Sequence, residues 1–437
     1  MNRLLGNENL KNIRQLAVLT LLKIQEKNAW SNLALDKKIR QYGLDGRDAA
    51  FFSALFYGVL ERRVTLDACI AVHSKIPLQK ISPGVLMALR TGVYQLLHMD
   101  SVPEHAAVSE SVELVRKLRL ASASGFVNGV MRSFLRAGKK IPVPAGPLAE
   151  RLSVEYSCPV SLARLWLDGY GEDFTRRALS QSLGRPPVYI RVNTLLISAA
   201  ELILRLSKRG VTAARDSEIE NCLSIEHFGA ISEMPEFQRG FFHVQDKSSQ
   251  ICVMLLAAAE TDRVLDACAA PGGKSFTIAQ MMKGKGEVVA CDLHPKRVGL
   301  ISRRAAEMGL QNIKTRVLDS SVFDDALGFF DRILCDVPCS GLGVIRRKPE
   351  IKLKDLSEFE NLPEVQYKIL KNTSQYCKAG GLLIYSTCTL NPRENEHVAE
   401  RFLENSPEFI KAGEFVTAPL ENGSDGFFTA SFIRREV

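Results

Sequence analysis

Long apolar runs, paired cysteines and spaced metal ligands are all missing from this 437-residue chain. No uninterrupted apolar run approaches the roughly 18 residues that a membrane span needs. The start, Met1-Asn2-Arg3-Leu4-Leu5-Gly6-Asn7-Glu8, lacks the apolar region of a secretion signal. The ten cysteines are scattered, with no Cys-x-x-Cys pair and no spaced cysteine/histidine set. That argues against both a disulfide scaffold and a zinc centre. No internal repeat or low-complexity segment is present. These absences lead to the expectation of a reduced, soluble, cytoplasmic protein with no membrane and no metal. A chain of this length that is 46% hydrophobic can bury a large core and should divide into two or three domains.

The net charge of +8 is unevenly shared. Residues 1–147 carry 21 Lys and Arg against 11 Asp and Glu, or +10, and the remainder carries 36 against 38, or −2. A basic excess confined to one third of the chain fits a polyanion partner or a solvated surface. That third reads as helical. Ile13, Leu16, Ala17, Thr20, Leu21 and Ile24 recur at the spacing of one buried helix face. Ser82-Pro83 has the form of an N-cap followed by proline at the first helical position, and Leu86, Leu89, Val93 and Leu96 make the apolar stripe that follows. The stretch Phe126 to Arg136 continues helical spacing and carries arginines of an exposed type. Pro142-Val143-Pro144-Ala145-Gly146-Pro147 cannot continue a helix and reads as a linker. An all-α basic domain over residues 1–140 follows.

Residues 148–255 read as a small α+β connecting domain. Tyr189 to Leu195 has strand character, and Ser198 to Lys208 has helical spacing. His243 stands alone and reads as a packed residue rather than a ligand.

From residue 256 to 437 strands and helices alternate. Val264 to Cys268, Val288 to Asp292, Thr315 to Asp319, Ile333 to Asp336 and Leu382 to Ser386 are short apolar runs separated by crossovers, the pattern of a doubly wound, mostly parallel sheet. Gly426 to Ile433 reads as a late antiparallel strand. After the first strand comes Ala269-Ala270-Pro271-Gly272-Gly273-Lys274-Ser275, where glycines admit a ligand to the backbone and a helix N-terminus offers N–H groups to an anion. Its tail matches a phosphate-binding loop, but Cys268 stands where that loop requires glycine, so an NTPase is rejected. Asp292 lies 20 residues beyond Gly272, placed to bind ribose hydroxyls. A nucleotide-like ligand without pyrophosphate fits, and S-adenosylmethionine, with an adenosine and an amino-acid carboxylate, is one.

Two further apolar runs end in Asp336-Val337-Pro338-Cys339 and Ser386-Thr387-Cys388-Thr389. In an open α/β sheet such strand ends converge on one crevice. Two thiols and a carboxylate there point to covalent catalysis on a base that does not react unaided. With a methyl donor beside them, methylation of a pyrimidine carbon leads. The remaining cysteines, Cys69, Cys158, Cys222, Cys252, Cys291, Cys335 and Cys377, read as small buried side chains.

Asp266-Ala267-Cys268-Ala269-Ala270-Pro271-Gly272-Gly273-Lys274, Asp336-Val337-Pro338-Cys339-Ser340-Gly341-Leu342-Gly343 and Ser386-Thr387-Cys388-Thr389 closely resemble the RNA 5-methylcytosine methyltransferases. The segment Phe126-Val127-Asn128-Gly129-Val130 resembles the helical RNA-binding NusB fold. Together they resemble the bacterial type that acts on 16S ribosomal RNA. Val337 departs from the alanine more usual in that family. The resemblance implies a Rossmann-like S-adenosylmethionine-dependent domain behind a NusB-like domain, acting on 16S ribosomal RNA; a monomer is the expectation, with the oligomeric state left open by the sequence. It also implies that Cys268 to Lys274 form the cofactor loop, Asp292 binds ribose, Asp319 lies near adenine and Asp336 sits between cofactor and base. Cys388 would be the nucleophile and Cys339 would assist product release. Asp319 is also readable as a loop or capping aspartate, and Arg346-Arg347-Lys348 as phosphate contacts or a solvated loop. Two alternatives stay open: an RNA-binding protein without catalysis, and a DNA enzyme in which the Pro-Cys thiol is the nucleophile.

Overall fold

The computed structural model describes residues 12–27, 31–417 and 423–436. It divides into two compact units, Met1–Gly184 with Ile345–Lys354, and Arg185–Val344 with Asp355–Val437.

The first unit is helical: α1 (Ile13–Lys27), α2 (Ser31–Tyr42), α3 (Gly46–Glu61), α4 (Arg63–His73), α5 (Pro83–His98), α6 (Glu104–Lys117), α7 (Ser124–Arg136), α8 (Leu148–Tyr156) and α9 (Val160–Gln181). The spacing read from the sequence is the spacing of the core. Leu16, Ala17, Leu21 and Ile24 of α1 are buried with Phe52, Leu55, Phe56 and Val59 of α3 and with Leu86, Leu89 and Val93 of α5. Helix α5 is the most enclosed, since even Arg90 is buried on it. Its guanidinium is answered by a two-pronged contact, Nε and Nη2 donating to the Asp67 carboxylate at 2.6 and 2.8 Å. Ser82 precedes Pro83 as expected, but its side chain makes no capping bond. The proline alone organises that start, because its fixed φ suits the first turn. On α7, Val127, Val130, Met131 and Phe134 face inward, while Arg132 and Arg136 are exposed.

Two features of this unit were not legible in the sequence. Helices α8 and α9, grouped above with the middle region, belong here. So does Ile345–Lys354, which lies far along the chain. Glu350 accepts from the Ser31 backbone N–H at 3.1 Å and its hydroxyl at 2.7 Å. The buried Lys352 ammonium donates to the Glu61 carbonyl at 2.6 Å. Burial brings its amine down to about 8.

The second unit holds two sheets. In the smaller, β1 (Val188–Val192), β2 (Thr212–Arg215), β3 (Cys222–Glu226) and β4 (Phe242–Val244) lie in the order β2-β3-β1-β4, all antiparallel. Helix α10 (Ala199–Ser207) buries Leu202 and Leu206 beside it and is capped by Ser198, whose hydroxyl accepts from the Glu201 N–H. Short α11 (Pro235–Gln238) and α12 (Lys247–Leu255) lead onward, and α12 gives Cys252 and Val253 to the core of the larger sheet.

The larger sheet contains β5 (Arg263–Asp266), β6 (Glu287–Asp292), β7 (Ile313–Val317), β8 (Phe330–Asp336), β9 (Cys377–Thr387), β10 (Phe409–Thr417) and β11 (Phe427–Arg434) in the order β10-β11-β9-β8-β5-β6-β7. Strands β5 to β9 pair in parallel, and β11 returns antiparallel against β9. Helices α13 (Gly273–Met281), α14 (Pro295–Glu307), α15 (Leu362–Thr373) and α16 (Glu396–Glu404) cover it. Leu265, Ile333, Leu383 and Tyr385 are buried in one cluster, and Val264, Leu334 and Ile384 in another. Burial on both faces explains why these strands read as continuous apolar runs rather than alternating ones. The strand order reverses direction between β8 and β5, so their carboxyl ends bound the crevice where such folds take ligands.

Candidate active site

Every parallel strand sends a motif to that edge. Strand β5 ends at Asp266, β6 at Asp292 and β8 at Asp336, while Asp319 follows β7 and Cys388 follows β9.

The loop after β5 is held from both ends. The Ala269 N–H donates to the Cys291 carbonyl at 2.7 Å, and Gly272 N–H to the Ala269 carbonyl at 2.7 Å. Gly272 has φ +107°, and a Cβ there would lie 2.4 Å from the Phe276 ring. Only glycine fits that turn. Burial pushes the Cys268 thiol well above its ordinary range, so it is a neutral wall of the loop. Asp266 is fully enclosed. Its Oδ2 accepts from the Ser275 hydroxyl at 2.6 Å, whereas Oδ1 has no hydrogen-bond partner among the described residues. Burial holds this carboxyl up at about 7.

Lys274 opens α13 and turns to Asp336, Nζ to Oδ2 at 2.7 Å. Burial is the largest single influence and works against the ammonium, but the charge and hydrogen bond of Asp336, with Cys252 and Cys388 adding to them, raise the pKa overall. The other Asp336 oxygen accepts from the Ser386 hydroxyl at 3.0 Å, tying the end of β8 to the end of β9. Asp292 is buried at the end of β6, accepting from the His294 N–H at 3.0 Å and facing Arg297 at 3.3 Å. Asp319 is exposed in a tight turn, accepting the Ser321 N–H at 3.0 Å and its hydroxyl at 2.7 Å. Those bonds lower its pKa. The turn-forming reading of Asp319 thus describes its geometry.

The two motif thiols meet. Cys339 and Cys388 have Sγ atoms 3.3 Å apart. The hydrogen bond with Cys339 lowers the Cys388 pKa, with Lys274 helping and burial and Asp336 opposing. The same bond, reinforced by burial, raises Cys339 well above a free thiol. Either sulfur can donate in this contact, and its environment shifts the Cys388 thiol down and the Cys339 thiol up. The buried cysteines go the other way: burial lifts Cys69, Cys252 and Cys377 to about 11, and Cys158, Cys222, Cys291 and Cys335 to about 12.

Gly343 lets the two loops approach. Its N–H donates to the Cys388 carbonyl at 3.1 Å, and a Cβ there would lie 2.0 Å from the Gly426 carbonyl oxygen. Ser340 and Thr389 hydroxyls meet at 2.7 Å. Asn395 accepts from the Thr387 hydroxyl at 2.6 Å and donates to the Thr389 carbonyl at 3.0 Å, bracketing Cys388. Sequence reasoning quoted Ser340 and Gly343 within a motif without giving them a role, and it passed over Asn395. The signal available was the polar run Asn391-Pro392-Arg393-Glu394-Asn395 directly after an apolar strand.

His243 is packed, as read from the sequence. Its Nε2 meets the Thr277 hydroxyl at 3.2 Å, and burial brings the imidazole down to about 3. Arg346, Arg347 and Lys348 lie in the segment that belongs to the helical unit. Among the described residues no cluster of three His, Cys, Asp or Glu could hold a metal, and no helix is long and apolar enough to cross a membrane.

The residues at the crevice fit an adenosyl amino-acid cofactor. Helix α13 directs its first N–H groups from a glycine turn, and the buried Asp292 carboxylate stands at the end of the next strand.

Comparison with known proteins covers the helical, middle and catalytic regions, with α9 falling in the match to the middle one. Residues 253–433 match the family described as 16S rRNA methyltransferase RsmB/F, residues 11–136 match the NusB family, and residues 158–232 match an RsmF/B-like, ferredoxin-like methyltransferase domain. The chain is 34% identical to the probable ribosomal RNA small subunit methyltransferase B of Bacillus subtilis (strain 168), over 97% of this chain and 99% of that one. The crystal structure of PH0851 has the same fold, with TM-score 0.80 and 23% identity over 98% of this chain and 99% of that one. NSun6 from Pyrococcus horikoshii, solved with SFG, superposes with TM-score 0.59 and 21% identity over 64% of this chain and 99% of that one. With the glycine loop, the paired thiols and the helical front unit all in place, this chain belongs to the RsmB/F family of 16S ribosomal RNA methyltransferases.

Proposed function

We propose that this chain methylates C5 of a cytosine in 16S ribosomal RNA through a covalent bond between Cys388 and C6. The observation that carries the reading is the geometry of two thiols 3.3 Å apart at the ends of neighbouring strands, beside the Lys274–Asp336 pair. S-adenosylmethionine, whose analogue SFG accompanies the related NSun6, supplies the electrophilic methyl group. The Cys268–Lys274 loop and the N-terminus of α13 would hold its amino-acid end, Asp292 its ribose, and Asp319 would lie near its adenine.

Cytosine C5 is a poor nucleophile. Addition of the Cys388 thiolate to C6 pushes electrons toward C5 and makes it reactive. A free thiol is mostly protonated at neutral pH, and the Cys339 hydrogen bond with the Lys274 charge supports the anion here. Asp336 is suited to hydrogen-bond the base edge and favour a proton on N3. Once the Cys388 charge is spent in a C–S bond, Cys339 loses the largest cause that keeps its own proton on. It is then suited to assist removal of the C5 proton, after which C5=C6 re-forms and the Cys388 thiolate leaves. To reach these groups the cytosine must be unpaired or flipped out of its stack. The basic helical unit supports a polyanionic partner.

The test is methyl transfer by the full chain to 16S ribosomal RNA, with duplex DNA in parallel, followed by bisulfite sequencing. A protected cytosine in RNA from reactions with enzyme, and none from reactions without it, is the expected result. Methylation of DNA alone would sink the reading.

A further inference from the structure

The two cysteine loops share one buried carboxylate that neither the motifs nor the chemistry above employs. Glu394 follows Cys388 by six residues and is fully enclosed, with 0% exposure. Its Oε2 accepts from the Ser340 backbone N–H at 2.9 Å and from the Gln366 amide at 2.9 Å, and its Oε1 from the Asn391 amide at 2.8 Å. Its backbone carbonyl accepts from the Tyr385 hydroxyl.

Each of these contacts has a direction in the fold. Ser340 is the residue after Cys339, and Asn391 lies three beyond Cys388, so one side chain ties the loop after β8 to the loop after β9. Gln366 comes from α15 and also donates to the Pro338 carbonyl at 2.9 Å, bracing the Cys339 loop from its other side. All three donors to the carboxylate are neutral. A buried carboxylate with no cation partner among the described residues is stabilised only while every such bond is made, since losing one leaves charge undersatisfied in a low-dielectric site. Such an arrangement is rigid, and it sets the separation of the two thiols. The Glu394 charge also helps keep the Cys339 proton in place.

We infer that Glu394 is a positioning residue that holds the Cys339 thiol in donating range of Cys388. The inference rests on the covalent reading for its catalytic consequence, but its geometric claim does not. Glutamine is the informative replacement, because its amide group would turn a donor toward a donor on one side of the carboxyl site.

The experiment uses the full chain carrying Glu394→Gln, with Gln366→Ala as a milder companion that removes one donor and keeps the carboxylate. Alkylation of Cys388 by iodoacetamide is followed by mass spectrometry as a function of pH, beside cofactor affinity and methyl transfer to RNA. In Glu394→Gln the Cys388 alkylation profile should move to higher pH, because the thiolate loses its donor. Turnover should fall by roughly tenfold or more while cofactor affinity stays within about twofold. Gln366→Ala should move both readouts the same way by less. Should Glu394→Gln fail to fold, the Gln366→Ala profile decides alone. An unshifted profile in the folded variants overturns the inference. Alkylation needs no RNA, so absence of cytosine methylation by the unmodified chain would remove the covalent reading without touching this test.

Discussion

Cys339 and Cys388 come from loops 49 positions apart in sequence and share one hydrogen bond at 3.3 Å, which lowers the pKa of one and raises that of the other. The proposed function gives different work to two identical side chains, and the difference can be read out. Cys388→Ala should yield neither methylated RNA nor a covalent adduct. Cys339→Ala should still add to the base and accept the methyl group but release slowly, leaving a protein–RNA adduct on denaturing electrophoresis. Adducts seen only with Cys388→Ala would reverse the two assignments.

Asp292 is buried with one oxygen on a backbone N–H and the other near Arg297. Asp292→Ala should weaken S-adenosylmethionine binding by roughly 1.5–3 kcal/mol, the range for a hydrogen bond to a charged group. RNA affinity should hardly change. Calorimetry on a folded variant with unaltered cofactor affinity would take Asp292 out of the site.

Asp266 gives a pH dependence whose sign is opposite to that of most carboxylates. Its folded pKa is raised to about 7, above the ordinary range for an unfolded chain, so the folded state binds the extra proton. Its contribution to stability is therefore fully present at acid pH and is lost as pH rises toward about 7. Asp266→Asn, which never ionises, should flatten the fall in melting temperature between these limits. A slope identical to that of the unmodified chain would show that the fold does not hold a proton on Asp266.

Arg90 and Asp67 make the paired charge inside the helical unit. Asp67→Ala would strand a buried guanidinium, at a cost of about 3 kcal/mol to that unit. Denaturant unfolding followed by a probe in the helical unit should show it. A change of a few tenths would mean that Arg90 finds water.

The exposed Arg132 and Arg136 of α7 carry the test of the basic surface. Replacing both with alanine should weaken RNA binding and make its salt dependence shallower, by about one unit of slope per lost phosphate contact. Cofactor affinity should be unaffected. An unchanged slope would mark these arginines as solubility features.

How much of this was legible beforehand follows from what kind of signal each feature leaves. Helix α1 and the stripe on α5 were readable because burial of one face imposes a period on the sequence. The parallel strands were readable because burial on both faces makes continuous apolar runs, and the motifs at their ends marked Asp266 to Lys274, Asp336 to Cys339 and Cys388. Glu394 and Asn395 stood in a visible polar run and Gln366 left no trace, but the role of all three depends on which loops the fold brings together. Ser82 shows the converse. A residue of the right type stood at the right place, yet its side chain makes no capping bond. The allocation of α8, α9 and Ile345–Lys354 depends on long-range contacts to which local pattern is blind.

That last allocation bears on how the protein is made. The helical unit is discontinuous along the chain, so a ribosome that has finished Gly184 has not finished the unit. Ser31 must wait for Glu350, and the Glu61 carbonyl for Lys352, while the whole smaller sheet and strands β5 to β8 emerge in between. A truncated gene ending at residue 184 would therefore encode an incomplete body, and one beginning at residue 185 would carry a piece of the other. The two units are inherited, synthesised and completed together, although each has its own hydrophobic core.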